Sequence, residues 1–494
     1  MFKKPFIIII LIFISPLYSQ NHVDALRYSL FDNYNTAGIS SLGGAGGLLT
    51  PNHNPSSLGF FSGDQLFSIS LINNSQAIET HYLDGHNLIE QPFNLGPSIQ
   101  NIGYAKSYDL GKNNEHGWTK INVSVSYNRK MNFNKEMVIS GYNEQSSMSN
   151  MFLQNSQGLY PDELNPFSDY LAFQTYLTDT VNSENYYETW INSNGQNQSM
   201  TIYEDGYINE VDFAIAGSYK DFLCFGMSIG VTEIQYNQTS SYKEDDFEPV
   251  DLNSSDPSFI LHMVENFEYN QYLDVSGEGI NFKFGLFIKP LSFLRLGWAY
   301  HSKTHTSLSE VYETYMQTSF INDDRFEAFS PTNFFNYELI TPAKSIQSLA
   351  IIKSFNKLNC LLTIDHETID YGSSNLSSLS YNFIDENNNI VNLYERTTNK
   401  KIGLLLSLNN ISIKSGYAIF GSPFQDNIND GERSFLTGGI GFKTGAYSFD
   451  LSITHWTKHE DHILYQDMTL VNPDQIANTH HQGSTIILTC NYKF

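Results

Sequence analysis

The stretch YSFDLSIT, residues 447–454, alternates apolar and polar side chains without interruption. In an extended chain, successive side chains point to opposite faces, so this pattern predicts a strand with one apolar and one polar face. Similar alternation recurs at 121–127, 358–364 and 486–494. Repetition over so much of the chain indicates an all-β protein.

Reading outward from that stretch, the same criterion predicts fourteen strands of roughly ten residues or more. They are expected at 64–74, 98–108, 119–130, 209–220, 222–238, 272–288, 292–304, 338–354, 358–369, 397–407, 411–420, 432–444, 447–457 and 482–494. Water-soluble β-sandwiches also show period-two alternation. The lengths of the connectors between the strands are therefore needed to distinguish a soluble sandwich from a membrane barrel.

The connectors alternate between short and long. Tight turns are predicted at 220–221, 289–291, 355–357, 408–410 and 445–446. Long connectors are predicted at 75–97, 131–208, 239–271, 305–337, 370–396, 421–431 and 458–481. Short turns on one rim and long loops on the other are typical of an antiparallel transmembrane β-barrel. The even strand count then places both termini on the short-turn side, which is the periplasmic side of a Gram-negative outer membrane.

Composition excludes several other classes of protein. The 494 residues include 27 Lys and Arg against 52 Asp and Glu, a formal charge of −25. Such a chain repels phosphate backbones, so no nucleic acid is expected as a partner. Segment 131–208 is strongly acidic, and a solvated rim explains this better than a cation-binding surface. After the N-terminal residues there is no apolar run long enough for a membrane-spanning helix.

The N-terminal part of the chain divides into two segments before the strands begin. Residues 1–19 combine Lys3 and Lys4 with a short apolar core and a small residue, which indicates a secretory signal peptide. Residues 20–63 contain the Gly-rich run 41–47 and suit neither a long helix nor a central strand. They are interpreted as a compact irregular segment packed against the barrel of residues 64–494.

Signals for catalysis or for a bound cofactor are weak. GxSxG, P-loop and HExxH motifs are missing, so no catalytic residue, no enzyme activity and no cofactor is expected. Three cysteines without CxxC spacing are interpreted as apolar strand residues. Five late histidines are interpreted as residues of a strand end and the loop after it rather than as haem or metal ligands: His455, His459, His462, His480 and His481.

Several short motifs resemble the long-chain fatty-acid outer-membrane transporter family (FadL/TodX-like), in its Bacteroidetes branch. They include Asp24-Ala25-Leu26-Arg27, Leu42-Gly43-Gly44-Ala45 and Asn54-Pro55 near the start. Later ones are Asp365-His366-Glu367-Thr368-Ile369-Asp370-Tyr371 and Gly438-Gly439-Ile440-Gly441-Phe442. The resemblance implies a fourteen-stranded barrel, an N-terminal hatch (residues 20–63) in its lumen, and passage of hydrophobic molecules. Ser56 and the run 46–51 depart from the family pattern, so contacts there transfer less securely.

With the resemblance, two groups of residues become candidate ligand-binding sites. The hatch-side group is Leu48, Leu49, Asn54, Pro55 and Phe60, in a hatch that either moves with the ligand or stays a static plug. The outer-loop group is Phe152, Leu171, Phe173, Ile260, Met263 and Phe267, on two partly helical apolar patches. These patches either form a capture groove or only pack the loops together.

Charged residues on the polar strand faces are expected to pair across the lumen and stiffen the barrel. They are Asp365, Glu367, Lys414, Lys443, Asp450 and Lys493. A sharper alternative is that a Lys or Arg captures a fatty carboxylate, with Arg27 and Arg295 among the candidates.

These patterns together predict passive outer-membrane transport of hydrophobic small molecules such as long-chain fatty acids. The expected partners are outer-membrane lipid, the apolar ligand, and the barrel assembly machinery, which would read the last strand ending at Phe494. Three alternatives remain: a protein-binding shuttle barrel of a Bacteroidetes secretion and surface-attachment system, a purely structural barrel, and a haem receptor.

Overall fold

The computed structural model describes residues 22–93, 96–111, 117–189, 191, 195–245, 247, 263–425 and 429–494. The signal peptide expected at 1–19 lies outside these residues. The strands are β1 (Gln65–Tyr82), β2 (Gly85–Gln91), β3 (Ser98–Asp109), β4 (Trp118–Asn132), β5 (Lys135–Asn143), β6 (Thr178–Thr180), β7 (Tyr187–Thr189), β8 (Gln196–Tyr219), β9 (Leu223–Asp245), β10 (Val264–Leu291), β11 (Leu294–His301), β12 (His305–Phe320), β13 (Arg325–Phe329), β14 (Asn333–Ile340), β15 (Lys344–Phe355), β16 (Leu358–Asp370), β17 (Asn375–Ser377), β18 (Arg396–Leu408), β19 (Ile411–Phe420), β20 (Arg433–Thr444), β21 (Tyr447–Gln466) and β22 (Asp474–Lys493).

The helices are few and short. The α-helices are α1 (His22–Arg27), α2 (Ala37–Ser40), α3 (Met148–Ser156), α4 (Asp169–Gln174) and α5 (Ile384–Leu393). Single 3-10 turns occupy Pro55–Phe60, Pro161–Glu163 and Tyr371–Ser373. Within the described ranges, no helix is long and apolar enough to cross a membrane.

Fourteen antiparallel strands close into a barrel, which confirms the predicted fold class. In order around the barrel they are β1, β3, β4, β8, β9, β10, β11, β15, β16, β18, β19, β20, β21 and β22. Closure comes from β1 pairing with β22, where Leu66 lies opposite Lys493 and Leu71 opposite Leu488. Each of the fourteen corresponds to a strand predicted from alternation.

The alternation shows which face is apolar. On β21, Leu451 is 42% exposed, whereas its neighbour Ser452 is 1% exposed. The apolar residues of the barrel strands therefore form a band around the outside, and the polar residues point inward. A soluble sandwich would bury its apolar faces, so this arrangement suits an apolar surrounding.

The tight turns are formed by residues that accept a left-handed backbone. Lys220 and Asp221, between β8 and β9, both have φ near 50°, and Asn409 between β18 and β19 has φ 53°. Two positive φ values in succession match the twist of the flanking strands in a hairpin.

Several segments that were predicted to be long loops are strands in the structure. Strands β8, β9 and β10 run for 24, 23 and 28 residues, well beyond the apolar band. Segment 305–337, expected to be a loop, consists largely of β12, β13 and part of β14. Outside the band the inward face of β12 mixes apolar residues such as Leu308 and Met316 with polar ones such as Glu310 and Thr314. Backbone pairing therefore continues without the regular apolar alternation by which a strand is recognised in sequence.

Residues 22–63, called the N-terminal segment below, pack against the inner face of the barrel. Its backbone reaches widely separated strands: Ala37 N donates to Thr489 Oγ1 at 2.7 Å, Gly47 N donates to Asp365 Oδ2 at 2.8 Å, and Leu58 O accepts from Asn122 Nδ2 at 2.6 Å. These partners lie on β22, β16 and β4, so the contacts extend around the barrel.

Candidate functional site

Inward-facing glycines on the barrel strands let the N-terminal segment approach the wall closely. A Cβ atom at Gly416 on β19 would overlap the backbone of Leu42 and Gly43. A Cβ atom at Gly226 on β9 would overlap the backbone of Pro55 and Ser56. The segment is thus seated by backbone-to-backbone contact on two sides of the barrel, where no larger side chain fits.

Four of the five predicted hatch-side residues pack against the wall. Leu48 is buried, and the Phe60 ring lies 4.3 Å from the ring of Phe287. Asn54 caps the 3-10 turn by accepting from Ser56 N at 3.0 Å, and Pro55 occupies the first position of that turn. Leu49 is instead 38% exposed. The two cavities described below are lined by other residues of the segment.

The two arginine candidates also lie near the N-terminal segment. Arg27 pairs with Asp24 in α1 and stacks over the ring of Tyr236, with Cζ 4.4 Å from the centroid. Arg295 is positioned over Phe60, with Cζ 5.7 Å from the ring centroid. Both guanidinium groups therefore have aromatic contacts within the fold.

The sequence analysis expected the inward charges to pair across the lumen, but the ion pairs found among them run along the wall. Glu367 lies 3.6 Å from both Lys344 and Lys401, which are on the strands that flank it. Lys414 donates to Asp450 at 2.5 Å across one intervening strand. The N-terminal segment occupies the space between opposite walls, so charges pair along the wall instead. Lys443 is exposed, Asp365 accepts from Gly47, and Lys493 donates to Ser62 O at 3.1 Å.

At the far end of the barrel from the tight turns, the predicted outer-loop residues form a packed core. Phe152 on α3, Leu171 on α4 and Phe267 on β10 are all 0% exposed and belong to one cluster. The ring centroids of Phe173 and Tyr187 lie 6.0 Å apart, and Met263 is buried. Residue 260 lies outside the described residues. In the segment 239–271, expected to be partly helical, residues 239–245 and 264–271 are strand, because β9 and β10 continue to pair there.

Two buried carboxyl groups in this outer core make its stability depend on pH. Burial raises the pKa of Glu244 and of Asp169 to about 7. A carboxyl group whose folded pKa exceeds its unfolded value stabilises the fold fully below the unfolded pKa, and the contribution is lost as pH rises through the folded pKa. For Glu244 the contribution is roughly 3 kcal/mol.

We therefore expect α3 and α4 to open more readily at pH 8 than at pH 5.5. The measurement is amide hydrogen exchange of residues 148–174, corrected for the pH dependence of the intrinsic exchange rate. In Glu244→Gln this dependence should weaken, because one titrating group is gone. Equal corrected protection at the two pH values in the wild-type chain would contradict the expectation.

Inside the barrel, the smaller of the two cavities described here has a mixed polar and apolar lining. It measures about 90 Å³ and is lined by the N-terminal segment at 28–35 and by strand residues such as Lys130, Glu210, Lys283 and Lys401. Lys283 donates to Glu210 at 2.7 Å and to Asp212 at 2.5 Å, so charge is neutralised locally. An apolar cavity of 150 Å³ holds one benzene, so this space is too small for an alkyl chain.

The larger cavity measures about 620 Å³ and lies between the N-terminal segment and the wall at β1, β4, β20 and β21. That size falls in the range of small-molecule sites. Its apolar lining is Leu26, Leu30, Ile72, Met131, Phe133, Phe424, Phe435 and Trp456. Its charged lining balances four cations with four carboxylates: Arg129, Lys135, Arg433 and Lys458 with Asp32, Glu90, Glu204 and Glu460. Lys135 pairs with Glu204 and Lys458 with Glu460, which leaves Arg129 and Arg433 as the cations outside those two pairs. A site with both kinds of surface can hold an amphiphile.

Among the described residues, the strand pairing along one side of β1 is interrupted beside this cavity. β1 pairs with β3 only as far as Ile72 opposite Ser98, where β3 begins, and pairs with β2 from Gln76 onward. Between these points, Asn73, Asn74 and Ser75 line the cavity on one side, and residues 129–134 at the end of β4 line it on the other. Gln76 Nε2 spans the two sides by donating to Asn134 O at 2.7 Å. The cavity thus extends from the N-terminal segment to a break in strand pairing.

The sequence analysis missed most of the residues that line this cavity. Arg433, Phe435 and Trp456 come from β20 and β21, whereas Arg129 comes from β4 and Tyr34 from the N-terminal segment. They are far apart in the chain and form no motif. The one available signal was that inward residues occupy every second position of a strand. Every inward residue of the barrel shares this property, so it does not single out the cavity.

The late histidines also need a correction, because they are strand residues and not loop residues. His455, His459 and His462 lie on β21, and His480 and His481 lie on β22. The rings of His459 and His480 stack with centroids 4.3 Å apart. The predicted strands 447–457 and 482–494 are shorter than β21 and β22, because both strands continue past the apolar band.

Comparison with known proteins gives a consistent picture of the fold. No family model and no curated protein matches the chain. A solved FadL homologue from Pseudomonas aeruginosa matches with TM-score 0.53 and 13% identity, over 93% of this chain and 98% of that one. The toluene transporter TodX of P. putida matches with TM-score 0.48 and 13% identity over 92% and 94% of the two chains, and TbuX of Ralstonia pickettii with 0.47 and 15% over 94% and 99%. The resemblance to the FadL/TodX-like family is thereby confirmed as a likeness of fold: the chain is similar to the P. aeruginosa FadL homologue over nearly its whole length.

Proposed function

We propose that the chain is a passive outer-membrane channel for hydrophobic small molecules, long-chain fatty acids among them. The observation that carries this proposal is the cavity of about 620 Å³ that joins the N-terminal segment to the break in the wall beside β3. A molecule leaving through that break would emerge next to Ile99, which is 42% exposed in the outer apolar band. Sideways exit into an apolar surrounding suits an insoluble ligand.

In this proposal, residues 20–63 act as the hatch. The described part of that segment is held to the wall by backbone contacts at Gly416 and Gly226. Ligand reaches Leu48, Asn54, Pro55 and Phe60 only if the segment moves, because these side chains pack on the wall. Leu49, being partly exposed, is accessible without such movement.

The cavity lining suggests how a fatty acid would be held. Its alkyl chain would lie along Leu30, Ile72, Phe435 and Trp456, and each buried CH₂ contributes about 0.8 kcal/mol. Arg433 lines both cavities, and its Cζ lies 5.1 Å from the ring centroid of Phe420. We assign Arg433 as the partner of the carboxylate, because a guanidinium binds a carboxylate bidentately.

Capture at the outer rim requires a change in the packed outer core. Phe152, Leu171 and Phe267 are fully buried, so α3 and α4 would have to separate from β10 to form a groove. Such a groove, with Phe173 and Met263 at its sides, is the proposed first binding site. Elements that open in this way come from the less stable parts of a fold.

The proposed location follows from the apolar band, which would face outer-membrane lipid, with both termini in the periplasm. Phe494 ends the last strand and is 60% exposed. We propose that the assembly machinery recognises the strand that ends there. The uptake is downhill, driven by the ligand's own gradient.

The test is binding of palmitate and of hexadecanol to the purified full chain in mild detergent, followed by native mass spectrometry. We expect one palmitate to bind, and Arg433→Met to weaken palmitate at least tenfold while leaving hexadecanol within twofold. Arg325→Met, at an exposed arginine of β13, is the matched control and should change neither. A chain that binds neither lipid but co-purifies with a secreted protein would favour the shuttle barrel and overturn the channel.

A further inference from the structure

A cluster of imidazole and carboxylate groups lies on the outer surface of the β1–β2 hairpin. Nε2 of His86 and Nε2 of His81 both approach the same carboxylate oxygen, Oε1 of Glu79, at 2.7 and 3.2 Å. One ligand atom from each of these three residues can be chosen so that all lie within 4.8 Å of one another. Nδ1 of His480 lies 3.9 Å from the other carboxylate oxygen. Three imidazoles therefore converge on one carboxylate.

The strand register holds these groups in place. His81 lies opposite His86 across the hairpin, and Glu79 lies opposite His480 on β22. The rings of His81 and His86 stack with centroids 4.5 Å apart and planes 2° apart. Because three hydrogen-bonded strands fix the backbone positions, a bound ion would need only side-chain rotations.

The cluster projects into water. The large apolar residues of β1 that face outward end at Leu71, eight positions before Glu79. At about 3.3 Å per residue, that places Glu79 roughly 26 Å farther along the strand. His81 and His86 are both exposed, so an ion reaches them directly from solution.

The donor set selects a class of ion. Imidazole nitrogen with one carboxylate suits Zn²⁺ and similar divalent transition ions, whereas Mg²⁺ and Ca²⁺ prefer all-oxygen sites. Zn²⁺ takes four ligands in a tetrahedron at about 2.0–2.1 Å from each nitrogen. We propose that Glu79, His81, His86 and His480 form a surface site for a divalent transition-metal ion of the Zn²⁺ class.

An ordinary surface salt bridge is the competing explanation for the same geometry. An exposed pair contributes little to stability and needs one imidazole at most. Here two imidazoles approach one oxygen, and His459 stacks on His480 from the neighbouring strand at 4.3 Å. The chain also carries a formal charge of −25, which raises the local concentration of cations.

The experiment is isothermal titration of Zn²⁺ into the full-length barrel in detergent, purified without a polyhistidine tag. We expect one saturable equivalent in the wild-type chain. His81→Gln and His86→Gln should each weaken binding at least tenfold, and Glu79→Gln should also weaken it. His305→Gln removes an exposed histidine from β12 and is expected to bind as the wild type does.

Co²⁺ provides a readout of coordination that is independent of heat. A tetrahedral site should produce intense visible absorption that His86→Gln abolishes and His305→Gln preserves. Because the substituted side chains are exposed, the variants should keep the wild-type, heat-modifiable migration of a folded barrel. Absence of saturable Zn²⁺ binding, or equal binding in folded His81→Gln and His86→Gln variants, would overturn the proposal.

Discussion

Replacing Asn74 by tryptophan is expected to reduce uptake of a labelled long-chain fatty acid at least tenfold. Asn74 points inward from β1 and lines the large cavity where the wall pairing is interrupted. An indole there would fill the route from cavity to wall, while the paired parts of β1 on either side would remain intact. Because the side chain lies at the edge of a cavity, the added volume displaces no packed core.

The measurement is uptake by outer-membrane-containing cells that lack their own fatty-acid channel and express this chain. Ala77→Trp is the matched control, because it adds the same side chain to the outward face of β1 without lining the cavity. Asn74→Ala should transport at least as fast as the wild type. If Asn74→Trp is folded and transports normally, the exit does not lie beside β3.

Substituting Gly416 by alanine is expected to unseat the N-terminal segment and convert a closed barrel into a leaky one. The added methyl group would overlap backbone atoms of Leu42 and Gly43, which cannot rotate away as a side chain can. Overpacking of this kind typically costs about 1–3 kcal/mol. This energy destabilises the contact between the N-terminal segment and β19, because the pairing of β19 with β18 and β20 does not involve the new methyl group.

Planar-bilayer recording checks this expectation. Gly416→Ala should show stepwise conductance, and cells expressing it should become sensitive to large antibiotics that the outer membrane normally excludes. Gly226→Ala, which overlaps Pro55 and Ser56, should behave alike from the opposite wall. Gly438→Ala is the control: its nearest neighbour would be Lys414 O at 3.9 Å, so it should stay closed. Closed channels in both test variants would mean that the segment does not block the lumen.

The fold was largely predictable because membrane barrels repeat one local rule. Each barrel strand crosses the same apolar band, so alternation such as that at 447–454 recurs fourteen times. The prediction lost accuracy where the band ends. β12 and β13 were predicted as loop, and His459 and His480 as loop residues. The inward face of β12 alternates between polar residues such as Thr314 and buried apolar ones such as Met316, so no uniformly apolar face marks the strand in the sequence.

The candidate site was predictable only in part. The Gly-rich run 41–47 indicated a segment packed closely on something larger, and it does lie against Gly416. The outer-loop residues Phe152 and Leu171 were identified as apolar, but whether they line a groove or a core depends on what packs above them. The inward charged residues were also identified, but their partners were not. Glu367 pairs with lysines on the two neighbouring strands, and the register between those strands cannot be read from the sequence.

The sequence by itself determined the strand number, the antiparallel closure and the outward apolar band, since these depend on the period of the side chains and on connector length. Only the tertiary structure decided where the cavity of about 620 Å³ lies, where the wall pairing breaks beside β3, and which imidazoles converge on Glu79. The physical reason is that periodicity is a local property of the chain. Register between strands and the filling of the lumen depend on contacts between residues hundreds of positions apart, such as Gly43 with Thr437.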